Sequence, residues 1–486
     1  MIVLFNDSPN PPIRSLGVYR IATELRRHGL EVEVIDFLSH WDHLVLLKYL
    51  DTITEVEWWG FSTKFFPPTF NSEKYAGQAT FRNNKWVTDN KDAGFMTELS
   101  DKDEALLIDY IKNRQGTIVV GGPNAEIIQH LPVNVDIICA GYSDLAVLAV
   151  HNHIVHGNDL IYTQRNDKKY VDADIHYAVQ LLNNLTTEYV ESDFITDDWV
   201  LPVEIGRGCI FQCAFCEFDH LGKKPGTYIR PKEEIKQDIM YRYNTFGIKK
   251  FMFVDDTFND SLEKMYLIRD IRQETGIDFE FWSYCRLDLL AAHPQQVDLI
   301  PEIGWKSFTI GIETFNRASG KAVGKGADPE KLKKFLIALK QRFPELRLQV
   351  NIIVGLPHDT EDTIRETAEW FLANPEIAEF VRFGTLRIKN PDGLTKNISK
   401  ISKDPEKYGY KILSREQFDV FKWTTPYLDA NTAHQLVEKY NPLMWKRTNN
   451  RRPDHVIGLS DQPYFTADRM YIIQNYISKK LHYQHG

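Results

Sequence analysis

Cys209-Ile-Phe-Gln-Cys213-Ala-Phe-Cys216 gathers three of the chain's five cysteines into eight residues, with the spacing C-x3-C-x2-C. A cubane 4Fe-4S cluster ordinarily takes four thiolates, so a local triplet holds three irons and leaves the fourth open to another ligand. Val203-Glu204-Ile205-Gly206-Arg207-Gly208 runs into the triplet as a short apolar strand and a glycine-rich turn, which puts the thiols on a loop able to wrap a cluster. Two other readings compete. Zinc would require a fourth Cys or His at short spacing, for which His220 is the nearby candidate, and inert buried thiols would require nothing at all.

With Phe215 just ahead of the last cysteine, the segment resembles the signature of the radical S-adenosylmethionine (SAM) enzymes. The resemblance implies that Cys209, Cys213 and Cys216 hold a 4Fe-4S cluster whose open iron chelates the amino and carboxylate groups of SAM. It also implies a reaction: one electron breaks the bond from sulfur to C5', and the 5'-deoxyadenosyl radical removes hydrogen from an unactivated carbon. The electron would come from a donor such as flavodoxin or ferredoxin. The substrate, a small molecule or a peptide, is not named by these residues, and no further catalytic residue is assigned.

Downstream, strand-like runs end repeatedly in polar residues: Lys249 to Val254 in Asp255-Asp256, Phe279 to Tyr284 in Arg286, Ser307 to Ile310 in Gly311-Ile312-Glu313, Leu348 to Val354 in Gly355-Leu356-Pro357, and finally Phe380 to Leu386. In parallel barrels the active site is built at those carboxyl ends. Together with the strand before the cysteines this predicts a partial (β/α)6 barrel over 197–390, similar to the radical SAM fold. The resemblance then implies roles: Asp255 and Asp256 for the SAM amino group, Ser283 and Arg286 for its carboxylate, Glu313 for the ribose, and the stretch with Ile353 and Gly355 for the adenine. An acidic residue after a strand is also a common helix N-cap.

Upstream, residues 1–150 alternate strand and helix, with strands expected at Met1 to Phe5, Glu31 to Phe37, Glu57 to Ser62, Thr117 to Val120 and Val135 to Ile138. That alternation predicts a doubly wound, Rossmann-like parallel sheet. Its turns Gly17-Val18-Tyr19-Arg20, Gly60-Phe61-Ser62, Gly121-Gly122-Pro123-Asn124 and Asp136 to Gly141 are similar in order to the cobalamin-binding domain that precedes the barrel in many radical SAM proteins. Cobalamin is the cofactor this implies, and a scaffold or substrate platform is the alternative. The D-x-H-x-x-G sequence that supplies a histidine to cobalt is absent, and an insert at about 70–91 interrupts the pattern.

The remaining segments are a connector at 151–196 and a mainly helical extension at 391–486. The connector carries His151, His153 and His156, whose spacing does not bring all three to one helical face. The extension is rich in aromatics, among them Tyr410 and Trp423, and is expected to cap the barrel.

The length of 486 residues suggests two or three domains at about 150 residues each. A net charge of −9 argues against general nucleic-acid binding. Apolar runs fall short of the roughly 20 residues of a membrane span, and Asn6-Asp7 follows the first apolar residues at once, so a cytoplasmic location is expected.

Three functions follow: cobalamin-dependent methyl transfer to an unactivated carbon, cobalamin-independent hydrogen abstraction or rearrangement, and a non-catalytic iron-sulfur protein. The absence of a second cysteine cluster counts against sulfur insertion.

Overall fold

Short runs of β-branched and aromatic residues build two separate parallel sheets in the computed structural model, which describes every residue except 9–12, 64–100, 123–124, 130–132, 178–184, 219–220, 225, 393–397, 416–419, 448–466 and 484–486. The insert at 70–91 and His220 lie outside the described residues. Two units emerge, Met1–Trp199 together with Phe465–Gly486, and Val200–Tyr464.

In the first unit, β1 (Ile2–Phe5), β2 (Val32–Ile35), β3 (Trp58–Ser62), β4 (Ile118–Gly121), β5 (Ile137–Ala140), β6 (Thr163–Arg165) and β7 (Lys168–Asp172) form one sheet in the order β2-β1-β3-β4-β5-β7-β6. β1 and β2 are buried at every position, as parallel strands covered on both faces must be. The order reverses between β1 and β3, which makes a topological switch point at the carboxyl edge.

The 151–196 segment is more than a connector. Lys169 to Asp172 continue the sheet beside β5 in parallel register, because Tyr170 and Val171 are apolar and fully buried there. His151 is packed inside, where its Nδ1 lies 3.3 Å from the Trp58 indole nitrogen.

β2 is an edge strand, and its free backbone groups need partners. The helix Ala467–His482 supplies them: the Tyr476 hydroxyl donates to the Val34 carbonyl at 3.1 Å and lies 3.0 Å from the Asp36 amide that donates to it. Lys480 pairs with Glu33, which also accepts from Tyr49 at 2.7 Å. The last helix thus belongs to the first unit rather than to a single 391–486 extension.

In the second unit, β8 (Leu201–Glu204), β9 (Lys250–Val254), β10 (Glu280–Cys285), β11 (Trp305–Glu313), β12 (Arg347–Val354) and β13 (Phe380–Thr385) run parallel in unbroken sequence order. Right-handed crossovers that always step the same way put every intervening helix on one face. That face is an aromatic core: Phe281 stacks on Phe253 at 4.1 Å, lies parallel to Trp305 at 5.9 Å and meets Phe258 edge-on. The opposite face is left for chemistry.

A side chain covers the free edge of β13 at Phe383. Asn441, on the helix Ala430–Arg447, accepts from the Phe383 amide at 2.9 Å and donates to the Phe383 carbonyl at 3.0 Å. Beyond β13, β14 (Ile388–Lys389), β15 (Lys411–Arg415) and β16 (Val420–Thr424) add a small antiparallel sheet in the order β14-β16-β15.

Candidate functional site

The cysteine loop leaves β8 under tight restraint. Glu204 is buried and paired with Arg207 at 2.6 Å, and the Arg207 amide donates to the Tyr228 carbonyl at 2.9 Å. A Cβ on Gly206 would lie 2.6 Å from that same carbonyl, so only glycine allows the two backbones to approach.

Further bonds hold the loop open as an arch. The Lys223 amide donates to Cys209 O at 3.0 Å, the Cys216 amide to Cys213 O at 3.1 Å, and Ala214 is bonded on both sides, to Val323 and to Ile401. Lys389 of β14 pairs with Glu217 at 2.7 Å, and Lys400 of the extension donates to Gln212 at 2.8 Å.

All three thiols are free, Cys209 buried and the other two half-buried. The Thr257 hydroxyl lies 3.4 Å from Cys209 Sγ, the Phe211 amide donates to the same sulfur at 3.5 Å, and Arg286 Nη1 donates to Cys213 Sγ at 3.5 Å. Burial pushes the Cys216 thiol up to about 12 and also raises Cys209, with the Asp256 charge adding to both. Thiols placed in this way ionise when a metal replaces the proton. Among the described residues no three His, Cys, Asp or Glu side chains converge on the position of a single ion.

The carboxyl ends of the strands sort the predicted SAM residues. Asp255 is fully buried, with both carboxylate oxygens 2.9 Å from Lys264 Nζ and a third bond from the Thr257 amide. Lys264 also pairs with Asp260 at 2.8 Å. Burial raises Asp255 and Lys264 opposes it; a carboxylate so enclosed persists only because it is paired. Asp255 is thus engaged by Lys264 and by the Thr257 amide at the end of β9. Asp256 is half-buried and near enough to Cys209, Cys216 and Tyr284 to raise all three by its charge.

Ser283 also departs from expectation. It shares a strand face with Phe281 and Cys285 on the helix side, is fully buried, and its hydroxyl has no hydrogen-bond partner among the described residues. Tyr284, its neighbour, points the other way. It is 38% exposed and its ring meets Phe218 of the cysteine loop, while Trp282 on the same face donates to Thr309 at 2.9 Å.

Arg286 reaches the cysteine loop, with its nitrogens already engaged. Nε and Nη2 bond Asp288 at 3.1 and 2.6 Å, Nη1 donates to Cys213, and the guanidinium lies 3.8 Å over the Phe211 ring. Its contact is with the thiol loop, at Cys213 and Phe211.

Glu313 ends β11 after a bulge, at φ 69°, a backbone strained for a residue with a side chain and characteristic of functional sites. Burial raises its carboxyl group, opposed first by Lys325 at 3.6 Å. Lys325 also donates to Gly311 O at 2.5 Å.

Ile353 is half-buried, on the same face of β12 as Asn351 and Gln349. Gly355 is covered by the protein itself. A Cβ there would lie 2.4 Å from the Trp423 ring, and its carbonyl accepts from Tyr410 at 2.7 Å.

Thr257, Lys325, Asp288 and Tyr284 are the site residues that strand-end spacing missed. Only Asp288, two residues beyond Arg286, carries a local signal.

Three comparisons bear on this site. Residues 203–371 match the family model of the radical SAM superfamily. The ribosomal protein uS12 methylthiotransferase RimO of Thermotoga petrophila is 25% identical over 210 residues, which cover 42% of this chain and 47% of that protein. The RimO of Thermodesulfovibrio yellowstonii is 27% identical over 254 residues, covering 48% and 55%. The chain thus spans about half the length of the curated relatives it matches. Among solved structures, the cobalamin-dependent SAM radical enzyme OxsB, with aqua-cobalamin and SAM bound, superposes over 99% of this chain and 71% of its own at a TM-score of 0.57 and 15% identity. That likeness concerns the fold. The family match takes in the cysteine arch and strands β9 to β12 of the six-stranded parallel sheet, so this part of the chain is similar to the radical SAM domain.

Proposed function

We propose that the chain is a radical SAM enzyme that modifies an unactivated carbon, with Cys209, Cys213 and Cys216 holding a 4Fe-4S cluster and SAM lying over the strand ends. The observation that carries this is the arch of three free thiols, with hydrogen-bond donors aimed at two of its sulfurs. When bound, the cluster supplies one electron to the SAM sulfonium and so a 5'-deoxyadenosyl radical.

The chain's own residues bind and shield. Asp256 faces the thiols and is suited to the SAM amino group, Glu313 to the ribose hydroxyls, and Ile353 to the adenine. Gly355 acts through the turn that Trp423 and Tyr410 hold in place. Trp282, Tyr284 and Phe218 form an aromatic wall that keeps water from a reactive carbon. A low-potential protein such as flavodoxin or ferredoxin would deliver the electron.

Cobalamin-dependent methyl transfer is the form of this reading that the OxsB likeness favours, since it extends over the first unit as well. The carboxyl edge above β1 and β2 is filled by protein. Arg14 is wholly buried there, 3.2 Å from Asp36 and 3.9 Å over the Trp199 ring, and Ser8 and Ser15 bond Asn6. At Gly121 on β4 an added Cβ would meet, among the described residues, Cys139 O at an ordinary 3.5 Å, so the reading puts the cofactor at that end of β4. Methylthio transfer, named in the RimO relatives, is less well supported. Cys139 and Cys285 lie buried on strands of different units, and two cysteines do not make a second triplet.

The test is anaerobic reconstitution with iron and sulfide, followed by reduction with dithionite and addition of SAM. The expected products are 5'-deoxyadenosine and methionine, from a brown protein with about four irons per chain. Cleavage that persists after Cys209, Cys213 and Cys216 are all changed to Ala would overturn the reading.

A further inference from the structure

Arg286 is held by three partners that together aim one nitrogen at a cysteine sulfur. Its backbone is clamped by Asn259, whose side chain accepts from the Arg286 amide at 2.8 Å and donates to its carbonyl at 3.0 Å. Its guanidinium is gripped by Asp288 through Nε and Nη2 and rests on the Phe211 ring. Nη1 is then left pointing at Cys213 Sγ, 3.5 Å away. An arginine serving only to neutralise Asp288 would need neither the Asn259 clamp nor the Phe211 platform.

We infer that Arg286 sets the potential at which the cluster accepts its electron. This rests on the cluster reading above. Reduction adds one negative charge to the cluster. A positive group donating an N–H to a ligating sulfur stabilises the reduced form more than the oxidised one and so raises the midpoint potential. Asp288 works against this only weakly, because it bonds the two nitrogens turned away from the sulfur and the nearer charge dominates. The guanidinium fork suits this role, since it can hold Asp288 with one edge while presenting the other, which a lysine ammonium cannot. The electron itself comes from an external low-potential reductant, and Arg286 changes neither protonation nor bonding in the step. It is a positioning residue for the cluster.

The experiment is an anaerobic redox titration of reconstituted full-length protein, with the reduced cluster read by electron paramagnetic resonance. Wild type is compared with Arg286→Gln, with the double variant Arg286→Gln/Asp288→Asn, and with Arg286→Lys. If wild type takes up no iron, the cluster reading fails and the inference falls with it. If wild type forms the cluster, both glutamine variants are expected to be harder to reduce, with the reduced-to-oxidised ratio at fixed potential falling about tenfold, or about 59 mV for a one-electron couple.

The double variant removes the stranded Asp288 charge. A return to the wild-type midpoint there would mean that Arg286 merely masks Asp288, and would overturn the inference. Should the folded glutamine variants lose iron, retention by Arg286→Lys would show that a cation is needed at Cys213, in support. Loss of iron in all three would make the role purely structural and defeat the claim.

Discussion

Asp255 and Asp256 are successive carboxylates at one strand end, and the alternation of the chain turns the first toward Lys264 and the second toward the thiols. Lys264 is fully buried between Asp255 and Asp260. Replacing it with Met leaves two buried carboxylates unpaired, a loss of about 3–5 kcal/mol, so Lys264→Met is expected to lower the thermal midpoint sharply. Asp256→Asn changes a half-buried residue rather than a fully enclosed one. It should leave the melt nearly unchanged and weaken SAM binding, as measured by equilibrium dialysis on the reconstituted protein. A large loss of stability in Asp256→Asn with normal SAM binding would reverse the two assignments. The distinction lies beyond the sequence, because nothing in the pair Asp255-Asp256 tells which one a lysine on the following helix will meet.

Among the elements, β10 shows how far spacing carries a prediction. Its sequence, Glu-Phe-Trp-Ser-Tyr-Cys, is aromatic on both faces, so alternation gives no sign of which face meets the helices. Ser283 is the polar residue that spacing offers as a ligand, yet it lies in the core beside Phe281, while Tyr284 takes the open side. The cysteine arch is readable because its chemistry lies within eight residues; Thr257 comes from the end of β9 and Lys325 from beyond the helix Arg317–Val323, and neither leaves a mark in the local pattern. β7 is hidden for a similar reason: Lys168 to Asp172 follows a polar turn and looks like part of a linker until β5 pairs with it.

The edge of β13 yields a sharper expectation. Asn441→Leu strips the partners from both Phe383 backbone groups, each costing about 1–3 kcal/mol when buried. The variant should unfold at lower denaturant and, with an exposed strand edge, self-associate on light scattering. A monomeric variant of wild-type stability would show that the edge is covered by other means.

On the scale of the whole molecule, the two-unit layout raises the question of what the first unit holds. If cobalamin lies over β4, added hydroxocobalamin should co-elute with the full chain in gel filtration at about one per chain, as expected of a bound cofactor. A bulky substitution at Gly121 should abolish this without changing the cluster spectrum. Cobalamin that elutes free from folded protein would leave hydrogen abstraction without methyl transfer as the reading. Among the described residues no helix is long and apolar enough to cross a membrane.

The way the last helix closes the edge of β2 has a consequence for the order of synthesis. A ribosome delivers Ile2–Phe5 long before Ala467–His482, yet Tyr476 encloses Arg14 and bonds β2, and Lys480 neutralises Glu33. The unit that holds β2 is therefore completed only after the second unit has been made. Until that helix emerges, its outer strand keeps unpaired backbone and a buried arginine lacks one wall of its cage. The nascent chain must wait with that edge exposed, and a message cut short anywhere before Ala467 releases a protein whose beginning, not only its end, is unfinished.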